Sequence, residues 1–193
     1  MDTIKLIGLA LILVSGTLIL MSLLKENSFF SLRKIIKEQL ALFQRSKHQY
    51  IVFYILPLVL AVGIAFLYTA KEDFFVMLNT ILSIILSILL AVLTILSAKD
   101  FSKVQDNEKR NNVKRVVKET ISAISFVAIL CVFLLLFDLV MIAIKDISVC
   151  WTISIMVSAL IYYVFIIILL CLLMIIKRIS NIILFDLEVK KEL

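Results

Sequence analysis

Glycine occurs three times and proline once in this 193-residue chain. With so few glycines no Gly-rich phosphate cradle can be built. The one histidine, His48, has no ligand partner at metal-binding spacing and reads as a surface residue. Cys131, Cys150 and Cys171 lie within or beside apolar runs without C-x-x-C spacing, which leaves neither a disulfide framework nor a metal site and makes them packing residues. No nucleophile motif, H-E-x-x-H or acidic pair occurs, so enzymatic activity and a cofactor are not expected. Charged residues are also few, 18% against roughly 25% in soluble domains. Nothing outside the apolar runs is large enough for a separate water-filled domain. Period-2 alternation is missing too, which argues against a membrane β-barrel.

What is present is hydrophobicity, at 63% of residues, gathered into five runs: 3–24, 50–70, 74–98, 121–144 and 147–176. Each reaches the roughly 20 residues that a helix needs to cross the hydrocarbon. Backbone polar groups in lipid must be paired within the segment, so the runs are expected to be helices. The expected class is all-α: a polytopic membrane protein with about five transmembrane helices and a basic amphipathic interfacial helix. The whole chain would be one integral membrane domain.

Of the 20 Lys and Arg residues, 17 fall in three segments: 25–49, 99–120 and the tail from 177. Short Lys/Arg-rich loops stay cytoplasmic. The expected location is therefore the bacterial inner membrane, multi-pass, with the N-terminus outside and the C-terminus in the cytoplasm. The first run could be a secretory signal, but cations follow rather than precede it and no A-x-A-like site lies near Leu24. A retained helix is the expectation.

Between the first two runs, residues 28–49 repeat apolar Phe29, Leu32, Ile36, Leu40 and Phe43 at spacings of three or four. Arg33, Lys34 and Lys37 fall mostly on the other side, as in a helix lying on anionic inner-leaflet lipids. The polar linker 99–120 is rich in helix formers, with Asp106-Asn107 and Asn111-Asn112 as the expected breaks. Its cations Lys103, Lys109, Arg110, Lys114, Arg115 and Lys118 set topology and contact headgroups, or dock an acidic cytosolic partner. They lack interleaved aromatics, so direct nucleic-acid binding is not expected. Beyond the fifth run, Ile179, Ile182, Ile183 and Leu187 continue a helical period through the tail 177–193, which would bend at Ser180-Asn181, tilt or project. Runs two and three, and runs four and five, read as two hairpins with tight outer turns.

Asp138 is the one ionisable residue well inside an apolar run. By count from the outer helix ends, Asn79, Thr80, Thr152 and Ser154 share its layer. Such a group could bind a cation, pass a proton or sense an external change; or it could hold helices together, uncharged or hydrogen-bonded to Asn79 or Ser154. Small and hydroxylated stripes mark the third run (Thr80, Ser83, Ser87, Ala91, Thr94, Ala98) and the fifth (Cys150, Ser154, Ser158, Tyr162). They suit close helix packing within or between protomers, or a polar pore lining. Pro57, with Gly63 six residues on, should kink or loosen the second helix.

A basic amphipathic inner helix, tight outer turns and the stretch Lys118-Glu119-Thr120-Ile121-Ser122-Ala123-Ile124-Ser125-Phe126 opening a helix resemble the KwaA family. These are the membrane subunits of the two-component Kiwa anti-phage defence system. The resemblance implies an inner-membrane sensor that forms a homo-oligomer, taken here as a tetramer, and recruits a cytosolic DNA-binding protein from the same operon. The leading expectation is a non-enzymatic membrane sensor or scaffold. The alternative is an ion channel or membrane-depolarising effector with Asp138 lining the pore.

Overall fold

The computed structural model describes residues 51–98, 107–143 and 151–191. The expected first helix (3–24), the amphipathic helix 28–49 with Arg33, Lys34 and Lys37, and Lys103 of the linker lie outside these residues. All regular structure among the described residues is helical: α1 (Leu56–Leu67) preceded by a π turn (Ile51–Ile55), α2 (Glu72–Ser97), α3 (Asn107–Ala143) and α4 (Trp151–Lys191).

Three of these helices contain segments long and apolar enough to cross a membrane: Glu72–Ser97, Val113–Ile142 and Trp151–Leu184. The second run does not form a full span among the described residues. Its α-helical part has 12 residues, about 18 Å at 1.5 Å per residue. Pro57 explains where that part begins. A proline ring clashes with the carbonyl four residues back, and the π turn that ends at Ile55 lets Pro57 occupy the first turn of α1.

Asn111-Asn112 does not break the chain, because α3 runs 37 residues without interruption. Nor does Ser180-Asn181 interrupt α4, which is continuous over 41 residues. In both places the flanking residues are good helix formers and no proline or glycine intervenes, so two Asn or one Ser-Asn pair is too weak to end a helix already packed on a neighbour.

Neighbours in sequence are not always neighbours in space. The main contacts run from α1 to α4, from α4 to α3 and from α3 to α2. The expected tight turn between α1 and α2 is present, with Ala70 and Phe74 packed against the Ala61, Ala65 and Tyr162 cluster of α1 and α4, but the two helices share few contacts along their length. Along α2 the buried residues Phe75, Leu82, Leu89 and Leu96 recur every seventh position, and along α4 so do Ile161, Ile168, Ile175 and Ile182. On α3 the buried line Val113, Val117, Thr120, Ile124, Val127, Cys131, Leu134 and Asp138 alternates steps of four and three. A heptad rhythm of this kind keeps one stripe of each helix facing its partner. The remaining faces are apolar and open, with Leu67 at 90% exposure and Phe66 at 69%. Such surface is stable against acyl chains and costly against water.

The division of faces can be tested with two truncations on α2. Leu82→Ala, at a fully buried site, should lose about 2–3 kcal/mol. Ile84→Ala, on the open face, should stay within about 0.5 kcal/mol. Thermal unfolding in mild detergent measures both.

Candidate functional site: a buried carboxyl beside a latched turn

Along α3, Glu119 meets α4 through Arg178. The guanidinium Nη1 lies 3.7 Å from Glu119 Oε2, and Arg115 Nε lies 3.8 Å from Oε1 of the same carboxylate. The pair fixes how α3 and α4 align. Nineteen residues separate Glu119 from Asp138, and nineteen residues back from Arg178 on the antiparallel α4 is Ala159. Asp138 therefore sits about 28 Å along the helices from the ion pair, level with Ser158.

At that same level the chain between α1 and α2 leaves the helical path. Tyr68, at the end of α1, is extended, and its N–H still donates to Ile64 O at 2.7 Å. Two α4 side chains hold the turn. The Ala70 N–H donates to Ser158 Oγ at 3.0 Å, while the Ser158 hydroxyl donates to Ser154 O at 2.8 Å. Tyr162 Oη–H donates to Tyr68 O at 3.2 Å, and its ring stands edge-on to Phe74 at 5.1 Å between centroids. Ala61 and Ala65, both fully buried, let α1 approach Tyr162 closely. Turn and latch close a small core around Ala61, Ala65 and Tyr162, joined to the main heptad seam through Ala70 and Phe74, which pack against both. α2 restarts at once, with Lys71 O accepting from the Phe74 and Phe75 N–H groups and Glu72 and Asp73 in the first turn, where acidic side chains favour the helix dipole.

Asp138 is fully buried, and neither carboxyl oxygen has a hydrogen-bond partner. The expected bonds to Asn79 or Ser154 are not made: the Asn79 side-chain carbonyl is likewise buried without a partner, and Ser154 takes part through its backbone carbonyl in the Ser158 bond. Thr80 and Thr152 are exposed, and the Thr80 hydroxyl turns back to Val76 O at 3.1 Å.

The two stripes separate. Ser158 and Tyr162 of α4 are buried and pack within the chain. On α2, Thr80, Ser83, Ser87, Ala91, Thr94 and Ala98 are all exposed on the face away from the core. Their hydroxyls bond the carbonyl four residues back, Ser83 to Asn79 O at 2.8 Å and Ser87 to Ser83 O at 2.9 Å among them, which leaves no orphaned donor facing lipid.

At the opposite end α3 and α4 continue together. Val113, Val117 and Ile182 are buried and Ile179 packs against the same core, so the tail stripe is partly used inside the chain. Lys114, Arg115 and Lys118 point outward. Lys109 and Arg110 lie on the same continuous helix.

Sequence reading missed the Ser158 and Tyr162 latch and the Glu119–Arg178 pair. Ser158 and Tyr162 are four apart on one helix face, a visible signal for hydroxyls aimed at a neighbour, but their acceptor and donor are backbone groups that leave no mark in a sequence.

Removing a latch group should cost stability, because it strands a buried backbone group. Ser158→Ala and Tyr162→Phe should each lose about 1–2 kcal/mol. Ser87→Ala, whose hydroxyl serves only its own helix, should change stability by less than about 0.5 kcal/mol. Thermal denaturation of the purified variants in one detergent compares the three.

No protein-family model matches this chain, and neither a curated protein nor a solved structure does.

Proposed function

We propose that the chain is a non-enzymatic sensor or scaffold of the bacterial inner membrane, with its basic end in the cytoplasm, serving an anti-phage defence system of the Kiwa type. It assembles as a homo-oligomer, a tetramer in this reading, and recruits a cytosolic protein encoded beside it. The observation that supports this is the continuation of α3 and α4 past the apolar spans as one packed pair, presenting Lys114, Arg115 and Lys118 outward. Exposed cations on a rigid, internally packed support suit an acidic partner better than cations on a loose loop, because less conformational entropy is lost on binding. Lys109 and Arg110 extend the same helix, and Lys103 precedes it in sequence. The exposed small-residue face of α2, from Thr80 to Ala98, is the surface through which protomers would pack. Anionic inner-leaflet lipids would hold the amphipathic segment with Arg33, Lys34 and Lys37.

Reversing Lys114 and Lys118 to Glu, which leaves the Arg115–Glu119–Arg178 cluster intact, should weaken co-purification of the neighbouring gene's product by tenfold or more in apparent affinity, while leaving the oligomer's mass in detergent unchanged. Retained capture at physiological salt would sink the docking surface.

A second reading, an ion-conducting or depolarising channel, is favoured by the unpartnered carboxyl of Asp138. It requires protomers to bring several such carboxyls together. In liposomes Asp138→Asn should then remove most of the conductance; equal flux through both proteins would leave the scaffold alone.

A further inference from the structure

Most polar side chains described in the spans have a local account, and Asn79, whose side-chain carbonyl is buried without a partner, is a neutral amide. The α2 hydroxyls serve their own helix, Thr120 donates to Val116 O at 2.7 Å, and Ser158 and Tyr162 hold the turn. Asp138 has none. Its exposure is 0%, it stands at the last buried position of the α3 seam, and both oxygens lack a hydrogen-bond partner.

An unpartnered buried carboxylate is costly unless its charge is balanced. The described parts of α3 beyond Lys118, α4 before Lys177, α2 and α1 contain no Lys or Arg. Beside the non-helical turn, Lys71, Glu72 and Asp73 are exposed at the start of α2. The titratable groups nearest in level on the packed elements are Tyr162 and Tyr163 of α4, Tyr68 after α1 and, two turns away on α3, Cys131. None of these side chains balances a negative charge.

Oxygen-bearing groups lie at this level. By the count from the Glu119–Arg178 pair, Asp138 is level with Ser158, which holds the non-helical segment from Tyr68 to Lys71. Tyr68 O and Lys71 O of that segment already accept hydrogen bonds, and Thr69 and Ala70 also lie outside the helices. Interrupted backbone at membrane depth is tolerated where it is buried or lines a site, and there its carbonyls can serve a cation. Hard oxygen donors suit hard cations. One carboxylate balances one positive charge, whereas a divalent ion would keep a net charge in apolar surroundings.

We propose that Asp138 is the charge-bearing ligand of a buried site for a small monovalent cation, sodium or a proton, next to the turn held by Ser158 and Tyr162. The site is independent of both readings above, since an ion can be bound without being conducted and without any protein partner.

The test is thermal unfolding of the purified full chain in mild detergent, in sodium chloride and in choline chloride at equal ionic strength, at neutral and mildly acidic pH. Asp138→Asn, of the same size and neutral, is the comparison. Sodium raising the Tm of the wild type by about 3 °C or more at neutral pH, with no such rise in Asp138→Asn, identifies sodium. A rise on acidification alone, again lost in Asp138→Asn, identifies the proton. The proposal is overturned when the wild type responds to neither, as a carboxylate already paired within the chain would behave, or when the variant responds equally. Should the variant not fold, labelling of wild-type Asp138 by a hydrophobic carbodiimide, read by mass spectrometry, replaces it: sodium slowing the reaction or acid accelerating it supports the site, and an unchanged rate overturns it.

Discussion

Along helices apolar enough to cross a membrane, a polar group has no water to satisfy it, and the structure of the three long spans follows from that constraint. Continuous helices pair their backbone internally. Where α1 stops and α2 has not begun, the backbone groups left over must be paired by something else, and Ser158 and Tyr162 do it from α4. The same rule governs the hydroxyls on the open face of α2, which bond their own helix and can therefore face lipid without a partner.

Packing is then a matter of stripes. In lipid the apolar effect gives no preference for burying leucine against leucine, so fit and polar contacts decide which faces meet. The heptad rhythm on α2, α3 and α4 supplies the fit, and Glu119 with Arg178 aligns α3 against α4. The alignment carries positional information. An ion pair at this depth, with Arg178 at 20% and Glu119 at 36% side-chain exposure, adds little stability by itself, but a shift of one turn would separate its partners and bring mismatched heptad positions together.

The helical class and the three long spans were legible because apolar runs of this length have few alternatives. Helix ends were less so. Residues 107–120 are polar and read as a linker, yet α3 runs through them because Val113, Val117 and Thr120 extend the buried stripe. The short α1 was hidden for the opposite reason: residues 50–70 are apolar throughout, and only the π turn before Pro57 and the break at Tyr68 reveal how little of that run is α-helix. The layer around Asp138 was partly legible. Counting along helices gave Ser154 as a neighbour in depth, one turn from the level set by the ion pair, but depth alone carries no direction, so Thr80 and Thr152 turned out to face away. Partnering on the α2 and α4 stripes was illegible for the same reason: both have hydroxyls at helical spacing, and only what packs against each face separates a latch from an open face.

A leucine at position 138 would continue the α3 seam with none of the desolvation cost that an aspartate carries. Stability therefore gives no reason for the carboxylate, and its local surroundings supply no bond to it. Its location supplies a mechanical reason instead. Asp138 and Lys118 lie twenty residues apart on one uninterrupted helix, about 30 Å along its axis. A rigid element with a proposed cation site near one end and a proposed docking surface near the other can communicate between them only by moving as a body against α2 and α4. The Glu119–Arg178 pair, lying one residue from Lys118, resists such movement. A change of charge at Asp138 would alter how tightly its end of the seam closes while that pair holds the other, making the ion pair the natural pivot. Coupling of this kind needs two arrangements of α3 that both sites distinguish, and Ala70 and Phe74, which pack against both the small core around Tyr162 and the main seam, are where a change in one would reach the other.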